Sequence, residues 1–174
     1  MEPAPGDPHH LASCADPDHP TPGSPQRFSW DFQVRFMDLN ASGHLDNLQI
    51  LRAVDEARHR LLGVGEPGGP QVLVGLLEPA PPEVAMLVAA HRVEYRRELW
   101  YAAAPLSLSL WVCRVGTSSL DVATEVRQTP ADPVGALALT TVVLIDTAAQ
   151  APWPLSDQVR ATLAAYSGPA PAFR

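Results

Sequence analysis

The sequence predicts a single α+β domain in which an antiparallel sheet packs around one long helix. Three features support this fold class: a strand-like alternation at the start of the body, a long amphipathic helix after it, and four further strand-like segments in series. The 174 residues contain no internal repeat, and their number suits one domain with a sizeable core.

Residues 1–26 are expected to form a disordered tail. They contain seven prolines, and Leu11 is their only leucine, isoleucine or valine. Such a segment buries too little apolar surface to offset the entropy lost on ordering. The domain is expected over residues 27–167, followed by a C-terminal tail at 168–174. Removal of residues 1–26 is expected to leave the thermal midpoint and any activity nearly unchanged.

The first strand is predicted at Arg27–Phe36, where apolar and polar residues alternate without a break. A period of two is typical of a half-buried strand. The residues predicted to share its apolar face are Phe28, Trp30, Phe32, Val34 and Phe36.

The central helix is predicted at Asn47–Leu62. Asp46 supplies its N-cap, Gln49 completes a capping-box-like pair, and Gly63 ends it. Arg58 falls inside the apolar arc of this helix, so its permanent charge needs a carboxylate or a ligand. The apolar residues at helical spacing are Ile50, Leu51, Val54, Ala57, Leu61 and Leu62.

In the second half of the chain, apolar and alternating segments predict strands that are separated by turns of Gly, Pro and Ser. A short helix capped by Ser156 is predicted at Asp157–Tyr166. The predicted strands are a short one at Gln71–Leu77 and four long ones at Val84–Glu98, Leu106–Val115, Leu120–Gln128 and Val134–Ile145.

Composition excludes several classes of function. A net charge of −7 argues against non-specific binding to nucleic acid or anionic membranes. The chain has no lysine, which excludes Schiff-base chemistry. Cys14 and Cys113 have neither a partner nor metal-ligand spacing, and no basic and apolar signal region opens the sequence. We therefore expect a cytoplasmic protein that lacks a metal site and a membrane span.

The residues from Asp38 to Asn47, with the turn at Gly43, and Glu56-Ala57-Arg58 in the helix carry a family resemblance. They resemble the hotdog-fold acyl-CoA thioesterases of the 4-hydroxybenzoyl-CoA thioesterase type. The similarity extends over about residues 28–166. It implies a sheet wrapped around the central helix, and hydrolysis of an acyl thioester of coenzyme A or acyl carrier protein without a further cofactor.

The resemblance also implies where catalysis occurs. Related enzymes meet the thioester carbonyl with an N–H at the start of the helix, a position matched here by Asn47 or a residue beside it. Their catalytic carboxylate is replaced by Asn40, as in the similar thioesterases of enediyne polyketide biosynthesis, which pair this asparagine with a helix arginine that corresponds to Arg58. An amide is not a base at neutral pH, so Asn40 is expected to orient water or hold the carbonyl.

Two further residues near this loop are candidates for assisting roles. Asp38 is the neighbouring carboxylate, either a structural partner or a base. His44 either makes a loop hydrogen bond or acts in catalysis, since a histidine ordinarily titrates near pH 6.5. Arg58 has two compatible interpretations, a catalytic one and an ion pair with Asp38 or Asp55.

Four residues are candidates for binding the phosphates of coenzyme A. Guanidinium forks and serine hydroxyls suit phosphate. These residues are Arg96, Arg97, Ser118 and Ser119.

Two alternatives to a thioesterase stay open at this point. One is a binding or regulatory protein that kept the acyl-thioester pocket and lost the carboxylate. The other is a hotdog dehydratase or hydratase, whose motifs are absent. The resemblance and the apolar strand at Val84–Glu98 also predict a homodimer or homotetramer, because an exposed apolar edge otherwise favours aggregation.

Overall fold

A computed structural model describes residues 26–65 and 71–174 of the chain. The predicted tail, with Cys14, therefore lies almost entirely outside the described residues. The strands are β1 (Phe28–Phe32), β2 (Val64–Gly65), β3 (Gln71–Leu73), β4 (Val84–Tyr95), β5 (Leu106–Val115), β6 (Ser119–Arg127), β7 (Ala136–Asp146) and β8 (Ala151–Pro152). The helices are α1 (Asn47–Leu62) and α2 (Asp157–Ala164).

The main sheet is antiparallel and confirms the predicted α+β hotdog architecture. Its strands follow the order β1-β5-β6-β7-β4, with β8 added beside β7. Alternate residues of β5, β6 and β7 are fully buried and pack with the apolar side of α1 in one core. No helix among the described residues is long and apolar enough to cross a membrane.

Helix α1 has the predicted bounds because local signals fix both of its ends. The Asp46 side chain accepts a hydrogen bond of 2.8 Å from the N–H of Leu48. At the other end, Gly63 has a φ of 94°, a conformation that favours glycine, and its N–H donates to the carbonyl of His59. The predicted capping role of Gln49 is wrong: its side chain does not return to Asp46, and Oε1 is buried without a partner among the described residues.

The first strand is shorter than predicted. It ends at Phe32, and the chain enters a 3-10 turn at Phe36–Asp38 that the Asp38 carboxylate closes by accepting a 2.7 Å bond from the Arg35 N–H. Phe36 is consequently 76% exposed and does not join the core. The alternation continues in the sequence beyond the point where β5 offers a partner, since the pairing stops at Phe32 opposite Leu106.

Three other predicted elements also end early. The strand predicted at Gln71–Leu77 stops at Leu73, because the N–H groups of Leu76 and Leu77 donate to the last carbonyls of α1. Strand β4 stops at Tyr95, where the next two N–H groups both turn to the carbonyl of Gly135 at 2.7 and 3.0 Å. Helix α2 ends two residues before the predicted Tyr166.

The last residues of the chain pack against the sheet. The indole N–H of Trp111 donates to the carbonyl of Pro169 at 2.7 Å, and the Phe173 ring lies under the guanidinium of Arg92. The main-chain N–H of Arg174 donates to Glu94 at 2.6 Å. This segment therefore reaches the end of β4.

Strand β4 forms one edge of the main sheet. Its inner face contacts the core through Met86 and Val93, whereas Leu87 and Val88 are 54% and 39% exposed. A shift of register between Val88 and Ala90 marks a bulge near the middle of the strand.

Candidate active site

A cavity of about 400 Å³ opens at the start of α1, between the loop before the helix and the segment after β4. The loop is held by its backbone, since the N–H of Asn40 donates to the carbonyl of His44 and Gly43 turns the chain with a φ of 85°. The N–H of Leu45 donates to Leu99, which joins the two walls. The cavity is lined by Asn40, His44, Leu45, Asn47, Ile50, Tyr95, Arg96, Arg97, Glu98 and Leu99.

The side chain of Asn40 is fixed by two hydrogen bonds. Its Oδ1 accepts from the N–H of Ser42 at 2.9 Å, so its Nδ2 faces Nδ1 of His44 at 3.0 Å. An amide nitrogen only donates, which makes Nδ1 of His44 the acceptor and leaves the ring proton on Nε2. One hydrogen of Nδ2 is used in this contact, and the other is available to a ligand.

His44 connects this amide to the opposite wall. Its Nε2 lies 3.9 Å from Oε1 of Glu98, and its ring meets Trp100 edge to face. Trp100 is itself held by Gln128, which accepts from its N–H and donates to its carbonyl. The imidazole is therefore oriented from both walls of the cavity.

The start of α1 presents a backbone donor to the same cavity. The N–H groups of Leu48, Gln49 and Ile50 all donate to Asp46, whereas no acceptor for the N–H of Asn47 is found among the described residues. Such an N–H lies at the positive end of the helix dipole. Tyr95 closes this side, with its hydroxyl 3.4 Å from the carbonyl of Asn47. A carbonyl oxygen or an anion is the ligand that suits this position.

The two predicted arginines differ in whether their guanidinium groups are already hydrogen-bonded. Arg96 donates to Glu94 at 2.6 Å and to the carbonyl of Ala172 at 2.7 Å. The bond from the Arg174 N–H contributes most to lowering the pKa of Glu94, and the Arg96 guanidinium lowers it further. The exposed Arg97 side chain has no hydrogen bond or ion pair within the described part of the chain. Arg97 is thus the cation free to bind a phosphate.

Asp38 does not line this cavity. Its carboxylate closes the 3-10 turn, and its carbonyl accepts a 2.9 Å bond from the N–H of Asp46. The geometry matches the structural interpretation of this residue, because both contacts fix the loop that carries Asn40.

Arg58 lies in a separate polar cluster toward the other end of α1. It is only 2% exposed, donates to Asp55 at 3.0 Å and contacts the sulfur of Met86 at 3.3 Å. It comes eleven positions after Asn47 in the helix, about 16 Å along the axis. Within one chain, the predicted pairing of Arg58 with Asn40 is therefore not formed, and Asp55 is its ion-pair partner.

His91 and His59 complete this cluster. Nε2 of His91 lies 3.9 Å from Asp55, and its Nδ1 lies 3.0 Å from the hydroxyl of Thr140. Burial and the adjacent Arg58 guanidinium lower the pKa of His59, against the raising effect of its bond to the carbonyl of Asp55.

Ser118 and Ser119 lie at the far end of the sheet. They precede and begin β6, whereas the cavity adjoins the other end of this strand, near Val126. Val126 comes seven positions after Ser119 in this strand, about 23 Å along it. In a single chain the two serines are therefore remote from the arginines at the cavity. The prediction that all four residues bind the same phosphates is wrong within one chain. Their neighbour Arg114 is bonded to Asp121, whose pKa it lowers.

Two polar residues of the cavity lining, Glu98 and Tyr95, were missed by the sequence interpretation. Glu98 is part of the run Arg96-Arg97-Glu98, of which only the cations were selected. Its contact with His44 depends on the pairing of the two walls, which has no local sequence signal. No group of three His, Cys, Asp or Glu side chains suited to a metal is found in residues 26–65 and 71–174.

Comparisons with known proteins give the family of this chain. Residues 34–163 match the thioesterase-like superfamily. No curated protein sequence matches the chain.

Solved structures with the same fold include several thioesterases. A predicted thioesterase from Bacillus stearothermophilus is 18% identical, with a TM-score of 0.68 over 84% of this chain and 100% of that one. A 1,4-dihydroxy-2-naphthoyl-CoA thioesterase from Synechocystis is 15% identical, with a TM-score of 0.60 over 79% and 96%. A thioesterase from Thermus thermophilus, complexed with coenzyme A and Zn, is 23% identical, with a TM-score of 0.58 over 78% and 95%.

Proposed function

Since the chain belongs to the thioesterase-like superfamily and is an acyl-thioester hydrolase, we propose that it holds its substrate in the cavity at the start of α1. The thioester carbonyl lies against the N–H of Asn47, and water attacks it from the side of Asn40. The products are the free acid and the thiol. The observation that carries this proposal is that one cavity is lined both by Asn47, whose N–H is unpaired within the described residues, and by the fixed amide of Asn40.

The N–H of Asn47 stabilises the charge that develops on the carbonyl oxygen during attack. The donor is already oriented by the helix, so no reorganisation is needed at the moment of reaction. Loss of one such donor typically costs about 10²–10³ in turnover.

Asn40 positions the attacking water. Its second Nδ2 hydrogen is available because the first is engaged by His44 and the oxygen is engaged by Ser42. His44 assists by holding this amide, and Asp38 by holding the loop.

The thiol part of the substrate is proposed to be coenzyme A. Coenzyme A is then part of the substrate, and no other cofactor is proposed. The guanidinium of Arg97, which has no partner in the described part of the chain, lines the cavity and suits a phosphate. Two structural neighbours are a CoA thioesterase and a complex with coenzyme A. An acyl carrier protein would present the same pantetheine arm, and it is the alternative carrier.

The active assembly is proposed to be a homodimer paired along β4. This edge strand exposes Leu87 and Val88, and antiparallel pairing of two copies about a two-fold axis is self-complementary. Such pairing would bring the Met86 end of one strand beside the Tyr95 end of the other. Arg58, which contacts Met86, would then approach the cavity of the other copy rather than its own.

A cytoplasmic location completes the proposal. It is supported by Cys113 on β5, which is a free thiol among the described residues.

A steady-state assay tests the proposed function. Purified protein is given a panel of acyl-CoAs of varied chain length and aromaticity, and the released thiol is measured with a chromogenic disulfide. We expect turnover with at least one member and weaker turnover in the Asn40→Ala variant. Saturable binding of acyl-CoAs without any thiol release would contradict the proposal and favour a non-catalytic binding protein.

A further inference from the structure

We propose that Glu98 is the general base of this site and supplies the carboxylate that Asn40 cannot. This assignment rests on the proposed function and adds a catalytic residue to it. It answers a chemical question that the loop leaves open: which group accepts the proton of the attacking water when the position of the family's carboxylate holds an amide.

Placement is the first argument. Among the described residues that line the cavity, Glu98 alone carries a carboxylate. Asp38 is outside the cavity and bonded to the Arg35 N–H, and the Asp46 carboxylate is engaged by the Leu48 N–H. The Glu98 side chain is 62% exposed and free of a short ion pair, so it can swing toward a bound water.

The state of His44 is the second argument. Oδ1 of Asn40 is held by the Ser42 N–H, which turns the NH₂ group of Asn40 toward Nδ1 of His44. Nδ1 must then accept, and the only basic lone pair of the neutral ring is occupied. Nε2 carries a proton and lies 3.9 Å from Oε1 of Glu98, which is beyond hydrogen-bond distance. The basic lone pair of His44 is therefore occupied by Asn40, and His44 is not the base.

The reaction can be followed atom by atom. Water held by Nδ2 of Asn40 attacks the thioester carbon while Glu98 accepts one of its protons, and the carbonyl electrons move to the oxygen beside the N–H of Asn47. Collapse of this intermediate re-forms the carbonyl and breaks the carbon–sulfur bond. The leaving thiolate takes the proton from Glu98. The acid and the thiol are released, and the carboxylate is restored.

The test uses the Glu98→Gln variant, which keeps the size and polarity of the side chain. We expect thioester hydrolysis to fall about 10²–10⁴-fold in kcat with KM nearly unchanged. The same enzyme is then given hydroxylamine, which attacks thioesters without needing a base and forms a hydroxamate. Hydroxamate formation by Glu98→Gln should remain close to that of the parent protein.

Glu83→Gln is the matched control, because it makes the same change at an exposed residue before β4, away from the cavity. Far-ultraviolet circular dichroism and thermal melting confirm folding of each variant. Equal kcat in Glu98→Gln and an active parent would overturn the assignment alone, as would an equal loss of hydrolysis and hydroxamate formation in a folded variant. A parent protein without turnover would overturn the proposed function, and the assignment with it.

Discussion

The side-chain nitrogen of Asn40 lies 3.0 Å from Nδ1 of His44, with the imidazole as the acceptor. This hydrogen bond fixes both side chains. An aspartate at this position could bond to Nδ1 only if the histidine carried its ring proton there. The loop is thus built around an amide and does not simply lack a carboxylate.

Exchange of this amide for a carboxylate tests that conclusion. Asn40→Asp should lower turnover, because the aspartate cannot donate to water or to His44 and draws the ring proton to Nδ1. Asn40→Ala should cost about 10²–10³ in kcat, by analogy with a lost oxyanion-hole donor. Both are measured as thiol release under saturating acyl-CoA. A rise in activity of Asn40→Asp would show that the site had merely lost its base.

The ion pair of Arg58 and Asp55 should be asymmetric in its effect on stability. Arg58 is 2% exposed and the Asp55 side chain 43%, so Asp55→Ala leaves a buried charge and should cost roughly 3 kcal/mol in the free energy of unfolding. Arg58→Met removes that charge while keeping apolar volume, and should cost under about 1.5 kcal/mol. Urea unfolding measures both.

The Glu56→Ala variant is the control for this pair. Its partner Arg60 is at 3.7 Å on the helix surface, so the cost should be about 0.3–0.5 kcal/mol. A folded Arg58→Met dimer that has lost turnover would assign Arg58 to catalysis. Equal destabilisation by Asp55→Ala and Glu56→Ala would contradict the buried-charge argument.

Pairing along β4 predicts that a charge on the exposed apolar part of the strand disrupts the dimer. Leu87→Asp puts a carboxylate into the proposed interface from each copy, opposite the Tyr95 end of the other strand, and should convert the protein to a monomer at micromolar concentration. Light scattering gives the mass, and Val74→Asp makes the same change at an exposed residue outside β4. A parent protein that is itself a monomer would refute the proposed assembly.

His59 should make the fold less stable in mild acid. Burial and Arg58 hold its pKa below the ordinary value of 6.5, so the unfolded chain gains a proton at higher pH than the folded one does. The free energy of unfolding should therefore decrease as the pH falls below about 6.5, until the folded-state pKa is passed. In His59→Gln this dependence should be flatter between about pH 8 and about pH 5. Identical slopes in urea titrations of the two proteins would argue against it.

How far the sequence predicts this molecule depends on whether the signal is local. Helix α1 is predicted to the residue because Asp46 and Gly63 mark its ends within one turn. The end of β1 is not predicted correctly, because the alternation persists to Phe36 while the partner strand begins at Leu106, opposite Phe32. Periodicity reports which residues share a face, but it does not report where a neighbouring strand stops.

The site was predicted in part for the same reason. Asn40, His44 and Asn47 lie in one continuous motif, and all three line the cavity. Glu98 reaches them through the pairing of two loops, and Ser118 and Ser119 are removed from them because β6 carries them to the opposite end of the sheet. The approach of Glu98 and the separation of the two serines both follow from the order of the strands in the sheet. Residue types and their spacing in the sequence do not show that order.

Gly135 shows how the walls of the cavity depend on a residue outside it. Its carbonyl accepts from both Arg96 and Arg97, and a Cβ added to it would lie 2.6 Å from Cδ2 of Leu99. Even an alanine here would require the buried Leu99 side chain to shift, on the segment that carries Glu98. In a saturation mutagenesis screen for activity, substitutions of Gly135 should thus lower the score although this residue touches no substrate.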